Sequence, residues 1–334
     1  MSHTTDQMLP FHKLHSLQVE VSSICNLSCA QCFNNLPDHI SAIMAPEFWN
    51  AKIKPYLGQL ENVYLVGIGE PLMSPHFLTF MRDVVIAGAK AHTTTNLQLM
   101  TPDLAEAMVE GGLYSLSFSC DATDSYSVIR RGGTLERLES ALQFLTGAKA
   151  WHNSTLPLLC LNFGASVRNI TELPDVMRLA DHYHISSVIA YHNIIYREAD
   201  RQESLYYHQE LSDQMFKRAA QFCQEKGILF MSPGLFSRPL VPTVKPPYCT
   251  YPFNHLYVYA DGRVGACCMD FVDSVILGDL RRETMAEIWN GEKIQAMRRM
   301  LCGEPSYNCR YCASPMKMKI SDPRYLLRFG VTQT

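Results

Sequence analysis

Short runs rich in β-branched and aromatic residues alternate with longer amphipathic runs six times between residues 17 and 226. The predicted strands cover residues 17–22, 62–68, 92–96, 114–121, 156–165 and 187–195, and the predicted helices cover 48–60, 75–87, 102–110, 134–147, 171–182 and 211–226. Strands that alternate with helices indicate a parallel sheet, which right-handed crossovers wind into an open sheet or a barrel. We expect the barrel, a partial (β/α)6 TIM-like fold of the α/β class.

The alternation ends in a segment with five prolines, residues 231–247. Prolines at this density exclude a helix or a central strand. We therefore predict a core domain of residues 11–230, a linker of 231–247 and a small Cys-rich C-terminal domain of 248–334. In that domain, residues 256–259 and 264–267 flank an Ala-Asp-Gly turn and predict a β-hairpin, and residues 285–299 predict a helix.

Twelve cysteines are an unusual number for a chain without an apolar secretory segment, and they indicate metal binding or catalysis rather than disulfides. The 29 basic and 32 acidic side chains give a net charge of −3, which provides no field to hold nucleic acid or anionic lipid. No stretch reaches the roughly 18 apolar residues of a membrane-spanning helix. We expect a cytoplasmic protein with neither nucleic acid nor a membrane as partner.

Three of the cysteines, Cys25, Cys29 and Cys32, directly follow the first predicted strand with gaps of three and two residues. A structural zinc site takes four protein ligands, whereas three thiolates can hold a [4Fe–4S] cluster and leave one iron open to a substrate or cofactor. Two alternatives remain. A zinc site could be completed by a histidine (His12, His15 or His39), or the three cysteines could be incidental core residues.

Six more cysteines fall in the last quarter of the chain: Cys249, Cys267, Cys268, Cys302, Cys309 and Cys312. Six thiols exceed the four that one cluster needs and fall short of eight for two, so one auxiliary [4Fe–4S] cluster is the economical interpretation. We favour Cys249 and Cys267 with the pair Cys309 and Cys312, and either Cys268 or Cys302 could replace one of them. A zinc ribbon is the alternative, because two-residue gaps serve zinc equally well.

Chemistry in such barrels lies at the carboxyl ends of the strands, and polar residues accumulate there in this sequence. The second strand ends in Gly-Ile-Gly-Glu-Pro (67–71), the third in Thr-Thr-Thr-Asn (93–96) and the fourth in Ser-Phe-Ser-Cys-Asp (117–121). Strict alternation sends Ser117, Ser119 and Asp121 to one face and Cys120 to the other, so Cys120 is predicted as a core thiol facing the helices.

The Cys25-x3-Cys29-x2-Cys32 loop after the first strand resembles the signature of the radical S-adenosylmethionine (SAM) superfamily. The resemblance implies that SAM chelates the fourth iron, and that an electron from the cluster breaks a C–S bond of SAM to release a 5′-deoxyadenosyl radical. It also implies that Gly69 and Glu70 receive the SAM ammonium, that Asn96 and Ser119 line the nucleoside pocket, and that Arg130 meets the carboxylate. Three residues depart from the family pattern: Gln31 replaces an aromatic, and Ile68 and Leu97 replace glycines.

The tail resembles the SPASM/twitch extension of some radical SAM enzymes. The resemblance rests on Cys249, on Gly262 and Cys267 with four residues between them, on Leu-Gly-Asp-Leu (277–280) and Ile-Trp-Asn (288–290), and on the final Cys pair. It implies one auxiliary cluster that can accept an electron from a substrate radical, and a flavodoxin or ferredoxin-type electron donor.

These features predict an enzyme that oxidises, cross-links or epimerises a ribosomally made peptide, with Cys223 a candidate hydrogen donor for epimerisation or else a core thiol. The alternative is a dehydrogenase, epimerase or decarboxylase that acts on a carbohydrate or nucleoside antibiotic precursor. About sixteen residues precede the first predicted strand, too few for a separate leader-peptide-binding domain, and this favours the small-molecule alternative. A distant alternative is a non-enzymatic zinc scaffold.

Overall fold

A computed structural model describes residues 11–32, 34, 39–195, 198–237, 249–267 and 275–303. Its strands form one ten-stranded sheet with the order β10-β9-β8-β1-β2-β3-β4-β5-β6-β7. The strands are β1 (Ser16–Val19), β2 (Asn62–Leu65), β3 (Lys90–Thr95), β4 (Ser115–Ser119), β5 (Leu158–Ala165), β6 (Ser187–His192), β7 (Leu229–Met231), β8 (His255–Val258), β9 (Arg263–Gly265) and β10 (Gly278–Asp279). From β8 through β1 to β7, each strand runs parallel to its neighbours. Strand β9 pairs antiparallel with both β8 and β10.

Helices connect successive parallel strands, as the alternation predicts. They are α1 (Pro46–Lys52), α2 (Phe77–Ile86), α3 (Pro102–Glu110), α4 (Tyr126–Ile129), α5 (Leu135–Trp151), α6 (Leu173–His182), α7 (Gln209–Lys226), α8 (Tyr251–Asn254), α9 (Met285–Asn290) and α10 (Glu292–Cys302). Local sequence sets their ends: Thr101 caps α3 through the Leu104 amide, and Gly227 ends α7 at a positive φ of 69°. The predicted partial (β/α)6 barrel is confirmed.

The strands bury their two faces against different partners. Side chains that face the helices, such as Leu17, Val63 and Phe118, are fully buried in the hydrophobic core. Residues of the opposite parity, such as Gln18 and Tyr64, line the interior of the sheet and are largely polar. The period of two therefore separates an apolar layer under the helices from a polar lumen.

One local expectation was wrong. The expected helix over 285–299 is two helices, because Gly291 takes an extended conformation (ψ 161°) between α9 and α10. The predicted tail hairpin is present as β8 and β9, and it also joins the main sheet, since β8 pairs with β1 in parallel. Residues 229–231 form a further short strand, β7, beside β6, which the sequence did not indicate. The domain boundaries themselves stay a prediction, and residues 238–248 lie outside the described ranges.

Candidate active site

The three N-terminal cysteines lie in the loop that leaves the carboxyl end of β1. Two backbone hydrogen bonds fix this loop: the Ser28 amide donates to the Arg131 carbonyl at 2.9 Å, and the Ala30 amide donates to the Ile129 carbonyl at 3.1 Å. Cys25, Cys29 and Cys32 are all only partly buried. The loop that follows β4 thus supports the cysteine loop and leaves its thiols accessible.

The segment after β2 packs tightly against the chain that leads into the cysteine loop. The Glu70 amide donates to the Ile24 carbonyl at 2.9 Å. A Cβ added at Gly69 would lie 2.4 Å from the carbonyl carbon of Ser23 and 2.5 Å from the Ser22 oxygen. Glycine at 69 therefore serves a close backbone approach, while the backbone of residues 67–69 stays partly exposed at the site.

Glu70 is 2% exposed, and its own chain uses both carboxylate oxygens. One accepts from the Thr95 hydroxyl at 2.6 Å and the Leu72 amide at 3.2 Å, and the other accepts from the Asn96 amide at 2.7 Å. Burial raises the pKa of Glu70, and these hydrogen bonds oppose the rise. Glu70 thus anchors the end of β3, and its contact with the SAM ammonium stays a prediction.

Asn96, held in this way, extends its amide towards the cysteine loop. Its Nδ2 lies 2.9 Å from Asn26 Oδ1 and 3.8 Å from Cys25 Sγ. The next residue, Leu97, has a positive φ of 63° and is buried. This conformation explains why glycine is usual there, since a side chain in the left-handed region costs about 1–2 kcal/mol.

Arg130 occupies the other side of the loop. Its Nη1 lies 3.8 Å from Cys29 Sγ, while Nε and Nη2 each donate to Asp121 Oδ2 at 2.5 Å. The second Asp121 oxygen accepts from the Gly164 amide at 2.7 Å. Arg130 is therefore fixed by Asp121 and presents one remaining face to the cysteine loop.

Burial disfavours the thiolate form of two of these cysteines, Cys25 and Cys32. Burial raises the pKa of Cys25 to about 11, with the Glu70 carboxylate and the other two cysteines adding to the rise. Burial also raises the pKa of Cys32. Coordination to a cation reverses this preference, because a metal-bound thiol is deprotonated outright.

Two middle cysteines are core residues. Cys120 is fully buried and faces the helices as predicted. Cys223 is also fully buried, with its sulfur 3.4 Å from that of Met177. It lies near the end of α7, which antiparallel packing puts at the amino end of the strands, opposite the cysteine loop. The structure therefore places Cys223 as a core thiol, the second of the two roles expected for it.

The described tail cysteines, Cys249, Cys267 and Cys302, lie towards the opposite end of the sheet from Cys25. Cys249 precedes α8, which leads into β8 at the amino end of β1, and Cys267 follows β9, whose antiparallel course ends at the same edge. Cys302 ends α10, which contacts α8 through Arg298 Nε and the Pro252 carbonyl at 2.6 Å. The other candidate tail ligands (Cys268, Cys309 and Cys312) lie outside the described residues, as does their arrangement.

A cavity of about 450 Å³ opens at the amino ends of β1, β2 and β8. Its lining is polar and aromatic and includes no Lys or Arg: His15, Ser16, Gln18, Glu61, Asn62, Tyr64, Tyr251, Asn254 and His255. His15 pairs with Glu61 at 3.1 Å in this region, so it is at the wrong end of β1 to complete a zinc site with Cys25. Across the described ranges, no three His, Cys, Asp or Glu side chains converge on a single metal ion.

The fold is a parallel barrel, and at the carboxyl end of its first strand it carries three cysteines of the kind that ligate an iron–sulfur cluster. Residues 19–160 match the family model of the radical SAM superfamily, and residues 249–313 match that of the SPASM iron–sulfur cluster-binding domain. The chain belongs to the radical SAM superfamily and carries a C-terminal SPASM domain. It is therefore an enzyme, which excludes the non-enzymatic zinc scaffold.

Curated relatives are distant. A tungsten-containing aldehyde ferredoxin oxidoreductase cofactor-modifying protein of Pyrococcus furiosus is 24% identical over 173 residues, which are 48% of this chain and 47% of that protein. A probable GTP 3′,8-cyclase of Sulfurisphaera tokodaii is 24% identical over 294 residues, covering 82% of this chain and 89% of that protein. The chain thus spans about half the length of the first relative and most of the second.

Two solved structures share the fold. Streptococcus suis SuiB bound to its precursor peptide SuiA superposes with a TM-score of 0.66 at 14% identity, covering 96% of this chain and 76% of that one. Native anSMEcpe with bound AdoMet and the Cp18Cys peptide gives a TM-score of 0.65 at 17% identity, covering 90% and 87%. At these identities the likeness concerns the fold alone.

The cysteine loop fits the [4Fe–4S] cluster and SAM that the superfamily uses. A cluster takes each thiolate on a separate iron, so its ligands need not converge on one point as those of a single ion do. The amide of Asn96 and the guanidinium of Arg130 supply N–H groups near two of the sulfurs. The SPASM domain likewise implies an auxiliary cluster.

Several supporting residues were missed from the sequence. Asn26 receives the Asn96 amide, and Asn193 after β6 donates to Gln31 Oε1 at 3.2 Å, so Gln31 ties the cysteine loop to the far side of the barrel. Glu20 at the end of β1 accepts from the amides of Ile68 (2.8 Å) and Ala260 (3.1 Å). Only the position of these residues at strand ends could have indicated a role.

No helix within the described ranges is long and apolar enough to cross a membrane.

Proposed function

We propose that this enzyme modifies a ribosomally made peptide by oxidation, cross-linking or epimerisation. The observation that carries the radical chemistry is the partly exposed trio of Cys25, Cys29 and Cys32 in the loop at the carboxyl end of β1. When bound there, the cluster and SAM supply a one-electron cleavage of a C–S bond that begins hydrogen abstraction.

The chain's own residues position these groups. Cys25, Cys29 and Cys32 hold the cluster, and the partly exposed backbone of residues 67–69 would receive the SAM amino group. Asn96 and Arg130 donate towards the sulfurs, and Ser119 on β4 lines the lumen beside them. These fixed N–H groups need no reorganisation when charge moves, which favours reaction in a dry site.

A peptide substrate is supported by the solved structures that share this fold. Both solved relatives described above were crystallised with peptides.

A small-molecule substrate is the second candidate, because the relative matched over most of its length is a probable GTP 3′,8-cyclase.

The tail is proposed to hold one auxiliary cluster through Cys249, Cys267, Cys309 and Cys312, which would take the electron left on the substrate. A flavodoxin or ferredoxin-type protein is proposed to supply the first electron, in the cytoplasm.

Iron content and SAM cleavage test the radical chemistry. Anaerobically reconstituted protein should hold about eight irons if two [4Fe–4S] clusters form, and dithionite should release 5′-deoxyadenosine from SAM. Cys25→Ala should abolish this release, whereas Cys223→Ala, a core thiol at the other end of the barrel, should retain it. Equal loss in both variants would refute the assignment of the loop.

Mass spectrometry then separates the substrates. Precursor peptides encoded beside the gene, GTP and nucleoside or sugar precursors would each be incubated with enzyme, SAM and reductant. A mass change in a peptide supports the proposal, and turnover of GTP or a sugar with unmodified peptides contradicts it.

A further inference from the structure

Arg298 on α10 is a buried cation whose charge the described residues leave uncompensated. The residue is 3% exposed, its Nε donates to the Pro252 carbonyl at 2.6 Å, and its guanidinium carbon lies 4.3 Å from the centre of the Trp289 ring. Nη1 and Nη2 are buried with no hydrogen-bond partner, and no described carboxylate forms an ion pair with Arg298.

Such an arrangement is costly unless an anion completes it. A buried charge without a partner is strongly destabilising, and buried donors without acceptors add to the cost. The polar groups nearby do not help, because the Trp289 indole is itself a buried donor without an acceptor. The two free nitrogens therefore require an anionic acceptor that the described residues do not contain.

The surroundings of Arg298 are rich in cysteine. Cys302 lies four residues further along α10 and hence on the same face of the helix. Pro252, which accepts from Nε, lies three residues after Cys249. Cys302 thus lies about one helical turn from Arg298 on α10, and Cys249 lies close along the chain to Pro252, whose carbonyl accepts the Arg298 hydrogen bond.

An iron–sulfur cluster held by thiolates is net anionic, and it gains a further negative charge on reduction. Hydrogen bonds and nearby charge are among the factors that set its reduction potential. We propose that Arg298 is the charge partner of the auxiliary cluster in the tail and raises its reduction potential. This inference rests on the proposed presence of that cluster.

The test measures the auxiliary cluster alone. A protein in which Cys25, Cys29 and Cys32 are all replaced by Ala retains only the tail cluster, which is titrated anaerobically with mediators and followed by electron paramagnetic resonance. Arg298→Gln removes the charge, Arg298→Lys keeps it, and Arg299→Gln removes the neighbouring exposed charge as a matched control.

We expect Arg298→Gln to lower the ratio of reduced to oxidised cluster at least tenfold at a fixed potential, which is about 59 mV for a one-electron couple. Arg298→Lys should shift the ratio less, and Arg299→Gln should leave it unchanged. An unshifted ratio in Arg298→Gln, or an equal shift in Arg299→Gln, overturns the inference. If the triple-alanine protein holds no iron, the tail cluster itself is refuted and the inference falls with it.

A stability comparison distinguishes the cluster from a carboxylate elsewhere in the chain, such as Asp270, Glu304 or Asp322. In cluster-free protein Arg298 has no anion, so Arg298→Gln should raise the melting temperature, whereas it should lower that of the cluster-loaded protein. Lower melting temperatures in both states would assign the partner to a carboxylate and overturn the inference.

Discussion

Replacing Asp121 by Asn should destabilise the protein strongly, because Asp121 compensates the buried guanidinium beside the cysteine loop. The Asp121 and Arg130 side chains are 9% and 16% exposed. Asp121 Oδ2 accepts two hydrogen bonds of 2.5 Å from Arg130, and Oδ1 accepts the Gly164 amide at 2.7 Å. Asn keeps the shape and the Gly164 contact but turns an amide donor or a neutral oxygen towards the cation.

The expected cost is that of a broken buried ion pair, a fall of about 3–5 kcal/mol in the free energy of unfolding. Asp181→Asn is the matched control, since its 2.7 Å pair with Lys226 is exposed at 37% and 44%. An exposed pair contributes about 0–1 kcal/mol. Urea unfolding of cluster-loaded protein under anaerobic conditions, followed by circular dichroism, measures both.

The double variant Asp121→Asn with Arg130→Gln completes the cycle. Removing both charges should recover part of the loss, since no cation is then left without a partner. An Asp121→Asn variant within 1 kcal/mol of the unmodified protein would refute the reasoning. It would mean that the thiolates bound to the cluster, through Cys29 3.8 Å from Arg130, supply the compensating charge.

Three further outcomes are expected. Gly69→Ala should lower the free energy of unfolding by about 1–3 kcal/mol, because the added Cβ would lie 2.4 Å from a backbone carbon. Gly147→Ala is the control, since the position within α5 has open space, and it should be neutral or stabilising in the same urea titration. Equal effects of the two substitutions would contradict the packing argument. Burial lowers the pKa of His192 to about 4, so below about pH 6.5 the unfolded chain takes up a proton that the folded chain does not, and stability is lost as the pH falls. His192→Asn should therefore remove about 2 kcal/mol of the decline in unfolding free energy between pH 7.5 and 5. An unchanged dependence of the unfolding free energy on pH would rule this out. Cys309→Ala or Cys312→Ala should leave some 5′-deoxyadenosine release but stop product formation, as followed by chromatography and mass spectrometry, and full product from either variant would refute the role of the tail.

The regular part of the fold was predictable because periodicity is a local property. All six predicted strands were found, and the alternation in β4 sent Cys120 to the core as expected. β7 was missed because three residues carry no periodic signal. The pairing of β8 with β1 joins residues 239 positions apart, and nothing in the local sequence encodes that neighbour.

The candidate site likewise has parts that local sequence predicts and parts that depend on distant contacts. The thiol loop and Arg130 were recognisable from spacing and resemblance. The ion pair of Arg130 with Asp121, and the use of Glu70 to anchor Asn96, depend on which loops the barrel brings together. Family resemblance assigned Glu70 to the ligand, and it gave no sign that the carboxylate also holds Thr95 and Asn96.

Because β8 pairs with β1 in parallel, the C-terminal region covers the free edge of the strand that leads into the cysteine loop. Without residues 249–303, the backbone of Ser16–Val19 would present unsatisfied amides and carbonyls along a bare sheet margin, the geometry that invites edge-to-edge association. A barrel fragment cut before Cys249 is thus expected to aggregate rather than to serve as a simpler catalyst.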